Sequence, residues 1–266
     1  MHVHFLDPYR PRSSPIHQLD PRVKLVLTIA FIFTAALTPP GAWAVYVLLL
    51  SVVLAVEVLS DLGVGYVLSR AVLALPFVLA AFPILFTISG PPLFSFTIFG
   101  WTLTITQPGF ERFVSIALKS WISVQMAIVL AASTSFPDLL SAMRAIKIPR
   151  MLVAIFGLMW RYLFVLADEA LRLLRARAAR SGQSEQTALK TGGSVAWRAR
   201  VAGGMAGSLF LRGIERSDRI YMAMISRGYD GEVRHMPLTE LRLEQWVVVV
   251  FGLVLLAALL GLAYLL

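Results

Sequence analysis

No cysteine occurs among the 266 residues, so disulfides and thiolate metal sites are excluded and the compartment is left open. Histidine numbers only four: His2, His4 and His17 lie in the amino-terminal stretch with no Cys or carboxylate cluster at ligand spacing, and His235 stands alone, so no metal site is expected. No Gly-x-x-x-x-Gly-Lys cradle occurs, which removes that device for holding ATP, and no nucleophile stands beside a base. Charge is missing from long stretches: no Lys or Arg lies between Lys24 and Arg70, or between Arg70 and Arg112. No cleavable leader is expected either, because no apolar run ending in a small-residue cleavage site precedes the first long apolar stretch.

What fills the chain is apolar. At 58% hydrophobic residues, with a mean hydropathy of +0.76, it reads as an all-α polytopic membrane protein. Asp20-Pro21 is a helix start, an N-cap acid before proline at the first helical position. The run from Leu25 to Val56 is too long for one crossing, so Thr38-Pro39-Pro40-Gly41 is expected to turn between two spans. Further spans are expected over 68–88, kinked at Pro76 and Pro83, over 113–133, and over 246–266, the last anchored at the interfaces by Trp246 and Tyr264. That makes about five. Between the third and fourth spans, β-branched and aromatic residues alternate around Gly100-Trp101, which predicts a short extracytoplasmic β-hairpin.

Of the 24 Lys and Arg, 17 fall between Arg144 and Arg242, which places that segment, the amino terminus and the loop near Arg70 on the cytoplasmic side. The expected domains are therefore four spans over 1–134, a cytoplasmic segment over 135–242 and a last span over 243–266. Residues 149–168 are nearly long enough to cross, but Arg161 at their centre would cost about 2.5–3.5 kcal/mol, so they are read as a surface or protein-covered helix. Glu57 and Asp61 are read as interfacial, and Asp168-Glu169 with Arg172 as a local helix pair.

In the basic segment, Leu163, Leu166, Ala170, Leu173, Leu174 and Ala178 recur at helical spacing up to Ser181-Gly182. Residues 183–198 read as a linker. A second long helix is expected from about Val201, with a Glu215–Arg219 pair on its polar side and small residues at Gly203 and Gly207 suited to a close helix crossing. It ends at Ser226-Arg227-Gly228. Each triplet alone is an ordinary helix stop, arginine in the last turn and glycine or serine beyond. Two such ends on two amphipathic helices point to docking into acidic grooves, since arginine's fork suits paired carboxylates. A basic face of this kind also attracts anionic membrane lipid.

The blocks "SPIHQLDPRVKLVL", "FPDLLSAMRAIKIPRMLV", "WRYLFVLADEALRLLRARAARSG" and "ERSDRIYMAMISRGYDG" resemble the transmembrane (T) component of energy-coupling factor transporters, most of all the CbiQ type associated with cobalt uptake. The resemblance implies a non-catalytic subunit of a prokaryotic inner membrane, with its amino terminus cytoplasmic. Two crossed coupling helices would each end in an X-Arg-X triplet, here Ala179-Arg180-Ser181 and Ser226-Arg227-Gly228, seated in two ATP-binding cassette ATPase subunits. Ala176-Arg177-Ala178 has the same form one turn before the first triplet. ATP and Mg would be held by the ATPases, not by this chain, and a separate substrate-binding (S) membrane subunit would carry cobalt, with nickel or a vitamin as alternatives. No nucleic acid is implied. A stand-alone permease would need internal repeats and mid-membrane polar residues. A membrane enzyme would need clustered acids or histidines where this chain carries arginine.

Overall fold

The computed structural model describes residues 8–98, 101–180, 194–230 and 240–265. Among these, 8–98, 101–146 and 240–265 form one compact unit, and 147–180 and 194–230 another.

The first unit is built of apolar helices. After a short α1 (Pro15–Gln18), α2 (Pro21–Leu37) starts where the Asp20 carboxylate accepts the Arg22 N–H at 2.8 Å. Its partner α3 (Trp43–Leu59) follows the expected turn, where Gly41 sits at φ +89 and donates its N–H to the Ser115 hydroxyl. At 17 residues each, α2 and α3 are about 25 Å long, at the short end of what crosses a bilayer. The third span is broken as its prolines require. It comprises α4 (Val64–Ala71), a 3₁₀ turn (Val72–Ala74), α5 (Leu75–Ala81) with Pro76 in its first turn, and α6 (Ile84–Thr87) behind Pro83.

The hairpin is present. β1 (Pro92–Ile98) pairs antiparallel with β2 (Trp101–Thr106), Ile98 opposite Trp101. α7 (Gln107–Ser133) starts six residues before the expected span, capped by Thr106, and touches each of α2 to α6. A short α8 (Phe136–Ala145) packs on α2, and α11 (Leu243–Leu265) packs on α2 and α3. Phe31, Leu49, Val53, Ile122, Met126, Leu256 and Leu259 form the shared core. Tyr264 ties α11 to the end of α2 through the Leu37 carbonyl, and Lys119 donates to the Ala36 carbonyl beside it.

Glu57, in the last turn of α3, is fully buried, with no hydrogen-bond partner for either carboxylate oxygen among the described residues, whereas Asp61, just beyond the helix, is exposed. Val64–Thr87, Gln107–Ser133 and Leu243–Leu265 are long and apolar enough to cross a membrane, and by the same criterion so is Arg150–Arg180 of the second unit. Residues 149–168, expected as a surface or protein-covered helix, thus form the first part of a longer helix that is apolar enough to cross.

Candidate coupling site

The second unit consists of two 31-residue helices, α9 (Arg150–Arg180) and α10 (Val195–Ile225). α9 joins the apolar stretch and the amphipathic stretch in one uninterrupted rod. Its first half buries only Val153 and Ala154 and leaves Met151, Leu152, Ile155 and Met159 exposed. α10 begins six residues earlier than expected because the Ser194 hydroxyl accepts the Trp197 N–H, an N-cap that takes Val195–Arg198 out of the linker.

The ends of these helices are the site residues named from sequence. Ala179 and Arg180 are exposed and Arg180 is the last described residue of α9; Ser181 lies outside the described residues. At the other helix, Gly228 lies at φ +78, donates to the Ile225 carbonyl at 2.9 Å, and the next N–H, of Tyr229, reaches back to the Met224 carbonyl at 3.0 Å. These two bonds are the paired closure of a Schellman cap, which needs a left-handed residue and so a glycine. Ser226 and Arg227 are held just ahead of it, their N–H groups on Met222 and Met224 carbonyls, and both side chains are exposed. Neither Arg180 nor Arg227 has an ion-pair partner among the described residues. Arg177, by contrast, is half-buried.

Contact between the helices is made elsewhere than expected. Glu169 of α9 takes Arg212 Nη1 on one carboxylate oxygen at 3.3 Å and Arg216 Nη2 on the other at 3.1 Å. The carboxylate therefore bridges to α10 instead of forming the local pair with Arg172, and Glu215 makes no ion pair with Arg219. Gly203 and Gly207 are not at a close crossing. A Cβ added at either would meet nothing within 4 Å, and both are exposed. The half-buried positions of α10, among them Val201, Met205, Leu209, Arg216 and Ile220, recur three and four residues apart. On the opposite side of the helix Leu211, Ile214, Tyr221 and Ile225 form a second apolar stripe, exposed. A helix with one apolar stripe engaged and another bare presents a surface of the type that partners cover.

Among the described residues no group of three His, Cys, Asp or Glu is placed to hold a metal. His17 is engaged structurally, its Nε2–H on the Arg10 carbonyl at 3.0 Å and its Nδ1 accepting from the Ser14 hydroxyl at 2.7 Å; His2, His4 and His235 lie outside the described residues.

Comparison with known proteins agrees in direction. The energy-coupling factor transporter transmembrane protein EcfT of Lactococcus lactis is 28% identical over 233 residues, covering 84% of this chain and 83% of that protein. EcfT of Brevibacillus brevis is 28% identical over 246 residues, 88% of this chain and 87% of the other. An uncharacterized protein of Methanocaldococcus jannaschii is 24% identical over 258 residues, 96% of this chain and 85% of the other. The family model for CbiQ, described as cobalt transport protein, matches residues 12–238. The protein is thus a member of the CbiQ family, similar along most of its length to the T components of energy-coupling factor transporters.

Proposed function

We propose that the chain is the T subunit of an energy-coupling factor importer, transmitting ATP-driven motion of two ATPase subunits to a substrate-binding membrane subunit, with cobalt ion as the transported solute. The observation that carries the reading is the pair of long helices bearing exposed arginines with no ion-pair partner among the described residues, Arg180 as the last described residue of α9 and Arg227 at the closing cap of α10. Each guanidinium is a five-donor fork free to take a carboxylate of a partner. The bare apolar stripe on α10 supports the same reading, since it offers area to a second protein.

ATP and its Mg²⁺ belong to the ATPases in this scheme, and the present chain performs no bond chemistry. The basic segment faces the cytoplasm, as positive charge does on the inner side of a prokaryotic plasma membrane. Cobalt rests on the family's name alone, and nickel or a vitamin would use the same coupling parts.

The test is capture of the ATPases. Arg180→Glu and Arg227→Glu each place a like charge in a groove built for a cation, which commonly costs 2–5 kcal/mol, about 30-fold or more in affinity. Affinity-purified chain from the native host should lose ATPase subunits in either variant and show no solute uptake in the double variant. Undiminished capture and uptake in the double variant would refute the assignment.

A further inference from the structure

We propose that Glu169 is the pivot of the two coupling helices, a positioning residue from which Arg180 and Arg227 extend as arms of equal length. The inference rests on the coupling reading above. It starts from one carboxylate divided between two arginines: each oxygen holds one guanidinium, and Arg212 and Arg216 stand one turn apart on α10. A single pair lets two helices swivel and slide. A carboxylate held by two donors stacked along the partner axis resists sliding by a turn yet leaves rotation about the contact open. Glu169 is also the most buried of the three side chains, at 17% exposure against 31% for Arg216 and 55% for Arg212.

The spacing then fits a lever. Glu169 stands eleven residues before Arg180, and Arg216, the closer and more buried of its two partners, stands eleven residues before Arg227, Arg212 fifteen. Eleven residues are about 16 Å along a helix and about three turns, so each tip arginine projects on nearly the same side of its helix as the residue that makes the crossing. Arms of this length convert a relative rotation of about 10° into about 3 Å of tip movement. Arg177 does not fit. It lies eight residues from Glu169, about two and a fifth turns, which swings it roughly 80° around the helix and gives unequal arms. The equal spacing therefore assigns the first docking arginine to Arg180.

The experiment uses the full chain, which has no native cysteine to interfere with labelling. Ala176→Cys and Ala223→Cys place spin labels at exposed positions seven residues beyond Glu169 and Arg216. With Glu169 intact, electron–electron distance measurement should give one narrow distribution. Glu169→Gln, which keeps shape and removes charge, should at least double its width, and Glu169→Arg combined with Arg216→Glu should narrow it again. An unchanged width in Glu169→Gln overturns the pivot, independently of any transport assay.

In the assembled transporter, Glu169→Gln should still capture the ATPases through Arg180 and Arg227 while uptake falls at least tenfold. Uptake within twofold of wild type, in a variant whose distance distribution has broadened, also overturns it. Arg177→Glu should capture ATPases within twofold of wild type, and a loss there equal to that of Arg180→Glu would refute the equal arms. Failure of Arg180→Glu and Arg227→Glu to affect capture would instead sink the coupling reading and leave the spin-label result standing.

Discussion

Two glycine-to-alanine substitutions in this chain should change stability with opposite sign. Gly109 lies in the first turn of α7, where a Cβ would stand 2.9 Å from the Leu85 carbonyl oxygen, 2.9 Å from the Thr106 hydroxyl and 3.1 Å from the Ile84 carbonyl oxygen. Ordinary carbon–oxygen approach is about 3.3–3.6 Å, so the overlap is about half an ångström, and two of the three atoms are backbone. Such overpacking costs about 1–3 kcal/mol. Thr106 is also the N-cap of α7, accepting the Gly109 N–H at 3.3 Å, and displacing it adds about 1 kcal/mol. The helix propensity of alanine returns about 1 kcal/mol, leaving a net loss of about 1–3 kcal/mol.

At Gly207 an added Cβ would meet nothing within 4 Å, so the same substitution gains the propensity term alone, about 0.5–1 kcal/mol. In detergent-purified protein, thermal unfolding followed by circular dichroism and tryptophan fluorescence should fall by about 2–10 °C for Gly109→Ala and rise slightly for Gly207→Ala. A fall for Gly207→Ala as large as that for Gly109→Ala would mean that the small residues of α10 do pack against a neighbouring backbone, and the account of the crossing through Glu169 would be wrong.

The pKa of His17 is lowered first by burial, then by Lys24 and Arg12, against an opposing hydrogen bond to Arg10 and the charge of Asp61. A depressed imidazole favours the neutral form in the fold, so its contribution is present above the unfolded value of about 6.5 and is lost as pH falls through the folded value. Acidification from pH 7.5 to 5.5 should therefore lower the unfolding midpoint more in wild type than in His17→Gln, and parallel pH dependences would contradict this. At Gly228, alanine must adopt φ near +78 and costs about 1–2 kcal/mol of local cap stability, whereas asparagine tolerates that region. ATPase capture should then be weaker for Gly228→Ala than for Gly228→Asn; equal capture would show that the closed cap does not matter to Arg227.

The parts of the fold that were legible in the sequence are those set by neighbouring residues. Asp20-Pro21 opens α2, Thr38-Pro39-Pro40-Gly41 turns the chain, Pro76 and Pro83 interrupt the third span, and Gly228 closes α10, each through a backbone constraint of the residue itself. The misreadings involve distant partners. Glu169 is 43 and 47 residues from the arginines it binds, and an adjacent Arg172 offered a local pairing that tertiary geometry overrides. Gly203 and Gly207 carry the spacing of a crossing but have no helix against them. Arg161 argued for keeping residues 149–168 out of the membrane as a surface or protein-covered helix, and they are instead the first part of one long helix in which Arg161 is exposed. The start of α10 had a local signal, Ser194, which the preceding Gly192-Gly193 obscured.

The end of α7 shows why such distant partners matter for stability. The helix stops at Ser133 with no glycine behind it, and its last four carbonyls have no partners within the helix ladder. The amino-terminal segment supplies partners for two of them. Arg10 donates its backbone N–H to the Ala132 carbonyl at 2.9 Å, and the buried Lys24 ammonium reaches the Ser133 carbonyl at 3.0 Å and the His17 carbonyl at 3.4 Å. The Ser133 hydroxyl turns back to Leu130. Arg10 and Arg70 then stack on the Tyr66 ring at 3.7 and 4.0 Å, which requires opposite faces and pins the same segment to α4. Lys24→Met keeps the stem and orphans two carbonyls, so it should cost about 1–3 kcal/mol. Tyr66→Leu removes two cation–π contacts between a half-buried ring and exposed guanidinium groups, about 0.5–1 kcal/mol each. If the segment acts as one cap, the double variant should lose less than the sum of the singles, because releasing either anchor frees the other. Strict additivity in thermal unfolding would mean that Lys24 and Tyr66 hold the end of α7 independently.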